Sequence, residues 1–109
     1  MEIDFYKEVR EDINISISVG LNDGALRLDG YEYGSTVVRL RGTERDFEYS
    51  LLLDKENTDK LFDKLGISDK TDKQKLEAIR DRFSKDKGVV GLDRYCEANG
   101  IETFYYSSF

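Results

Sequence analysis

The sequence predicts an α+β fold: an antiparallel sheet of about four to five strands, ending in a C-terminal strand, packed against two or three helices. Three observations carry this expectation. Ile13, Ile15, Ile17 and Val19 alternate with Asn14, Ser16 and Ser18, the period-two pattern of a strand with one buried face. After Asp54 the spacing turns helical, with Leu61, Phe62 and Leu65 followed by Leu76, Ile79 and Phe83. Residues 101–106 then return to β-branched and aromatic side chains.

The elements follow in order. Residues 3–9 suit either an extra strand, with Ile3 and Phe5 alternating, or a turn of helix. Asn22-Asp23-Gly24 has turn chemistry and Leu26 and Leu28 resume the alternation, so residues 12–28 are predicted to form an antiparallel hairpin. Asp29-Gly30 and Tyr33-Gly34-Ser35 offer further turns. They predict either a second tight hairpin over 29–35 or a bulged continuation of one strand, the bulge being preferred. Residues 35–41 and 46–53 flank Gly42-Thr43-Glu44-Arg45, which suits a four-residue hairpin loop. That pairing sets Arg41 against Asp46 and Arg39 against Glu48, with Leu40–Phe47, Val38–Tyr49 and Thr36–Leu51 on the other face.

In the second half, Asp54 is placed to cap a helix over 55–65 that Gly66 ends. Thr71 followed by Gln74 is a capping-box pattern opening a helix over 72–85. A third helix is predicted over 90–98, using Leu92, Tyr95 and Cys96, with Asn99-Gly100 as a left-handed stop. In the closing strand, Phe104 and Tyr106 are expected to pack into the core while Phe109 covers an edge.

A chain of 109 residues fits one domain, 1–109. It is 39% apolar and 37% charged with thirteen aromatics, too many for disorder. The net charge of −6 is concentrated in residues 1–24, which carry six acids and two bases. Nucleic acid is not expected as a partner, because phosphate binding draws on clustered Lys and Arg. No apolar run reaches membrane-spanning length, the amino terminus lacks the pattern of a secretory signal, and a single cysteine suits a reducing compartment. A cytoplasmic location without membrane association is therefore predicted.

Histidine is absent, which removes Ser-His-Asp and Cys-His arrangements and most zinc ligand sets. Cys96 falls near the carboxyl end of its helix, a poor place to stabilise a thiolate, and reads as a buried structural thiol. Glu8, Glu11 and Asp12 could bring two carboxylates together, but like charges ordinarily stay solvated. The Asn22-Asp23-Gly24 and Asp69–Asp72 segments lack the spacing of a calcium loop, and Gly88-Val89-Val90-Gly91 lacks the lysine of a phosphate-binding loop. No catalytic residue, cofactor or metal site is predicted. Arg39 and Arg41 share a strand face and could bind an anion, although Asp46 and Glu48 are placed to neutralise them.

The run Asp46-Phe47-Glu48-Tyr49-Ser50-Leu51 leading into a helix, with Ala98-Asn99-Gly100-Ile101 followed by Phe104 and Ser107, resembles a group of small bacterial α+β proteins of no established activity. The resemblance spans roughly residues 26–109. It implies a self-contained bacterial domain and carries over no functional residue.

With common catalytic apparatus missing, surfaces are the expected working parts. The leading expectation is a non-enzymatic protein-binding or regulatory module, such as an immunity-type inhibitor, using an acidic or aromatic surface drawn from Glu8, Glu11, Asp12, Arg39, Arg41, Tyr105 and Phe109. The alternatives are a small carboxylate-dependent enzyme and a homodimer joined through an exposed strand edge.

Overall fold

A computed structural model describes residues 1–34, 47–85 and 88–107. The chain runs β1 (Glu2–Arg10), β2 (Ile13–Asn22), β3 (Ala25–Tyr33), β4 (Phe47–Leu53), α1 (Lys55–Leu65), α2 (Asp72–Phe83), α3 (Gly88–Ala98) and β5 (Phe104–Ser107). The strands form one antiparallel sheet in the order β1-β2-β3-β4-β5. The fold is α+β, with five strands, three helices and a C-terminal strand.

Alternation in β2 decides which side of the sheet is covered. Ile13, Ile17, Val19 and Leu21 are buried, as are Leu26 and Leu28 of β3 and Phe47, Leu51 and Leu53 of β4. Leu61 and Phe62 of α1, Leu76, Ile79 and Phe83 of α2, and Val89, Leu92 and Cys96 of α3 join all of these but Ile13 and Phe47 in one cluster. A Leu-sized side chain fully removed from water contributes about 1.5–3 kcal/mol, so this side holds most of the stabilising burial. On the opposite side of the strands no described residue is buried.

Local chemistry explains the joints. Asp23 (φ 52°) and Gly24 (φ 82°) form a two-residue loop with positive φ at both positions, which matches the twist of the flanking strands. In β1 the register slips between Asp4 and Tyr6, and the extra residue, Phe5, is buried in the core. Asp54 caps α1 by accepting from the Asn57 amide at 2.9 Å. Thr71 and Gln74 form the reciprocal capping box of α2 at 3.2 and 3.1 Å. Helices α2 and α3 differ from their predicted limits by two residues at one end each, within the ordinary softness of helix ends.

Three expectations are corrected. Residues 25–33 pair with β2 without interruption, so neither a hairpin nor a bulge occurs at Asp29-Gly30. Gly30 is instead a mid-strand glycine covered by the Tyr49 ring, into which any Cβ at this position would run. Strand β4 pairs with β3 through Leu26–Leu53 to Glu32–Phe47 and with β5 through Tyr49–Ser107 to Leu52–Phe104. Both edges of β4 are thus occupied at Tyr49 and Leu51, and the pairings with Val38 and Thr36 are not the ones formed. Residues 35–46 themselves lie outside the described residues. Finally, Phe104 and Tyr106 stand on the uncovered side, because Phe104 pairs with Leu52, whose neighbour Leu51 points into the core.

Candidate binding face

With every described helix on one side, the other side of the sheet is an open surface. Its side chains form rows across the strands. Glu2, Gly20, Arg27, Leu52 and Phe104 make the first, and Asp4, Ser18, Asp29, Ser50 and Tyr106 the second. Lys7, Ser16, Tyr31 and Glu48 make the third, and Val9, Asn14 and Tyr33 the fourth. Small residues run the length of β2, so the face is shallow along that strand and rises to aromatic and charged side chains on either flank.

Tyr31 and Tyr33 pack ring to ring at 5.4 Å in the middle of the face. Phe104 and Tyr106, 49% and 58% exposed, stand at the β5 margin, and Val9, 76% exposed, at the β1 margin. Exposed aromatics with polar tips are favoured material for protein interfaces. Four acids, Glu2, Asp4, Asp29 and Glu48, meet two bases, Lys7 and Arg27, giving the face an acidic balance.

One polar network stiffens the face. The Arg27 Nε donates to both Asp29 oxygens at 2.9 and 2.8 Å, and the Ser50 hydroxyl donates to Asp29 Oδ1 at 2.6 Å. Partial burial acts to raise the Asp29 pKa, but the hydrogen bonds from Arg27 and Ser50 and the Arg27 charge overcome it and hold the carboxyl below its usual range.

A second concavity, of about 330 Å³, opens on the helix side. Ile15, Ile17, Phe47, Tyr49 and Val89 supply its apolar lining and Tyr6, Glu32, Ser84 and Lys85 its polar groups. Glu32 and Glu8 flank Ile15 in one row of this side, two strand spacings apart. Glu8 is engaged there: the Tyr6 hydroxyl donates to its Oε1 at 2.6 Å, and Arg10 lies 2.6 Å from Oε2. That hydrogen bond is the main cause of a raised Tyr6 pKa.

The residues singled out from sequence fall in different places. Glu8 is at the β1 edge on the helix side, while Glu11 and Asp12 lie in the exposed turn between β1 and β2. Tyr105, on β5 at the opposite edge, stacks on Tyr49 at 6.3 Å. Arg39, Arg41 and Phe109 lie outside the described residues. Sequence reading missed the rows joining Tyr31, Tyr33 and Tyr106 to Asp29 and Ser50. Their signal was the polar half of each alternation, legible only once the strand order is known. Among the described residues no group of three His, Cys, Asp or Glu is placed to hold a metal ion. None of the described helices is long and apolar enough to cross a membrane.

Fold and surface together define an α+β protein with a one-sided sheet and an open, tyrosine-bearing, acidic face. No family model matches the chain, and neither a curated protein nor a solved structure matches it.

Proposed function

We propose that this chain is a non-enzymatic protein-binding module whose working part is the open face of the sheet, and that its partner presents a positively charged surface. The observation that carries the reading is the exposure of Tyr31, Tyr33, Phe104 and Tyr106 on a sheet face that no described helix covers. Tyrosines give large contact area at small conformational cost, and the acidic balance of the face favours a cationic partner and speeds encounter with it. An immunity-type inhibitor, occupying the basic surface of a cognate toxin or nuclease, is the specific form of this proposal.

Immobilised chain offered to host extract at low and high salt tests the reading, with a Ser16→Lys/Tyr33→Lys variant as control. A basic protein should be retained at low salt, released at high salt, and lost with the variant, whose thermal melting should match the parent. Retention that ignores both salt and the substitutions, or no retention at either salt, would overturn the proposal.

A further inference from the structure

The two margins of the sheet have opposite character. Strand β1 carries Glu2, Asp4, Lys7, Glu8 and Arg10 and a register slip at Phe5, the devices by which proteins prevent edge-to-edge pairing. Strand β5, Phe104-Tyr105-Tyr106-Ser107, carries no charge, no proline and no register slip. Its aromatics are 49%, 52% and 58% exposed, and β4 is its one neighbour among the described strands. Three pins hold it in place. The Ile101 amide donates to the Cys96 carbonyl at 2.9 Å, the Glu102 amide to Asn57 Oδ1 at 2.9 Å, and the Thr103 hydroxyl to Asp93. The edge is therefore presented already ordered.

We infer that β5 is a self-association edge, at which two copies of this chain pair β5 to β5, antiparallel about a twofold axis between their Tyr105 residues. Two five-stranded sheets become one of ten. The register follows from the residues. Opposed residues of an antiparallel pair share a face, so an axis at Tyr105 sets Phe104 of one copy opposite Tyr106 of the other, twice, on the open side. A shift of one residue would set Tyr105 against Tyr106, bring the covered side of one copy beside the open side of the other, and lose both aromatic pairs. The inference does not depend on Tyr105 lacking contacts, since its ring keeps its place over Tyr49.

Charge and area fix the strength. Within Phe104–Ser107 the pairing brings no like side-chain charges together, but each chain carries −6 overall, so association should strengthen as salt screens the repulsion. A buried aromatic side chain covers about 150–250 Å², and three half-exposed ones per copy contribute roughly 300 Å², short of the roughly 800 Å² per partner of a standard stable interface. The dimer is therefore a concentration-dependent one. Its salt response is opposite in sign to that of a basic partner on the open face, so failure of either proposal is recognised separately.

Sedimentation equilibrium over a concentration series up to the millimolar range, at low and high salt, tests the inference alongside amide hydrogen exchange. The dimer fraction should rise with concentration and with salt, and the β5 amides should slow with concentration while the β1 amides do not. Tyr106→Lys and Phe104→Lys should each weaken association at least ~10-fold, since a charge on an edge opposes pairing. Both reduce the net negative charge, so general repulsion cannot explain a loss, and both sites are exposed enough to leave the melting temperature unchanged. A chain that stays monomeric throughout, variants that associate like the parent, or protection that appears on β1 would overturn the inference and leave β5 to a strand of another protein.

Discussion

Cys96 combines burial with a nearby negative charge, and its thiol behaves accordingly: burial, then Asp93, pushes its pKa up to about 12. An unfolded thiol titrates near pH ~8.5, so the neutral form is favoured by folding. This contribution is fully present below pH ~8.5 and is lost as pH rises toward about 12. Denaturant midpoints measured from pH 8 to 12 should fall in the parent and fall less steeply in Cys96→Ala. Asp29 carries the opposite sign. Its depressed pKa contributes stability above the unfolded value of ~3.9, lost as pH falls through the folded value, so Asp29→Asn should differ from the parent at neutral pH and converge with it in acid. Between these windows, with no histidine present, stability should be nearly level from pH ~5 to ~8. Thr58 is fully buried and accepts from the Leu26 amide at 3.0 Å while donating to the Leu53 carbonyl at 3.3 Å, tying α1 to β3 and β4. Thr58→Val keeps the shape and leaves those groups without their partner, so it should cost about 1–3 kcal/mol by chemical denaturation.

Gly30 and Tyr49 work as a cross-strand pair: the tyrosine ring fills the place of the absent side chain. Gly30→Val should displace that ring and destabilise by about 1–3 kcal/mol, with a changed near-ultraviolet circular dichroism signal from Tyr49, whereas Gly66→Ala, at a helix end with open space around it, should show only a backbone cost of about 1 kcal/mol. The same pair shows where sequence reading stops. The Ile13–Val19 alternation, the Asp54 cap and the Thr71–Gln74 box were legible because each is written within a few residues. The partner of β4 was not. Phe47, Tyr49 and Leu51 alternate equally well against residues 36–40 and against Glu32, Gly30 and Leu28, since periodicity fixes which face a residue takes and leaves its neighbour open. Gly30 was read as a breaker for the same reason, its covering ring being nineteen positions away. The tail aromatics were assigned inward on apolarity alone, although the side of Leu51 was already filled by the helices. The candidate face was therefore half legible: its polar positions were visible, while its continuity from Asp4 to Tyr106 depends on strand order.

The molecule is a meander of sequential neighbours in β1 to β3, to which β4 is added, followed by three helices that return the chain to the sheet. Strand β5 meets β4 only after the whole helical segment between Leu53 and Phe104 has been traversed. Closing so long a loop costs more entropy than closing the Asp23-Gly24 hairpin, and β5 contributes only four residues in return. Asn57 therefore has a consequence in time as well as in space. Its side-chain oxygen receives the Glu102 amide while its own amide is held by Asp54 at the head of α1, so the carboxyl-terminal segment has this docking point only once that helix has begun to form. In refolding followed by pulsed hydrogen exchange, the β2 and β3 amides should become protected first and the β5 amides last. Asn57→Ala should delay that final phase, and in the native state it should speed exchange at Phe104–Ser107 while leaving β2 and β3 unchanged. The last strand to arrive would then be a clock for the completion of the helical layer.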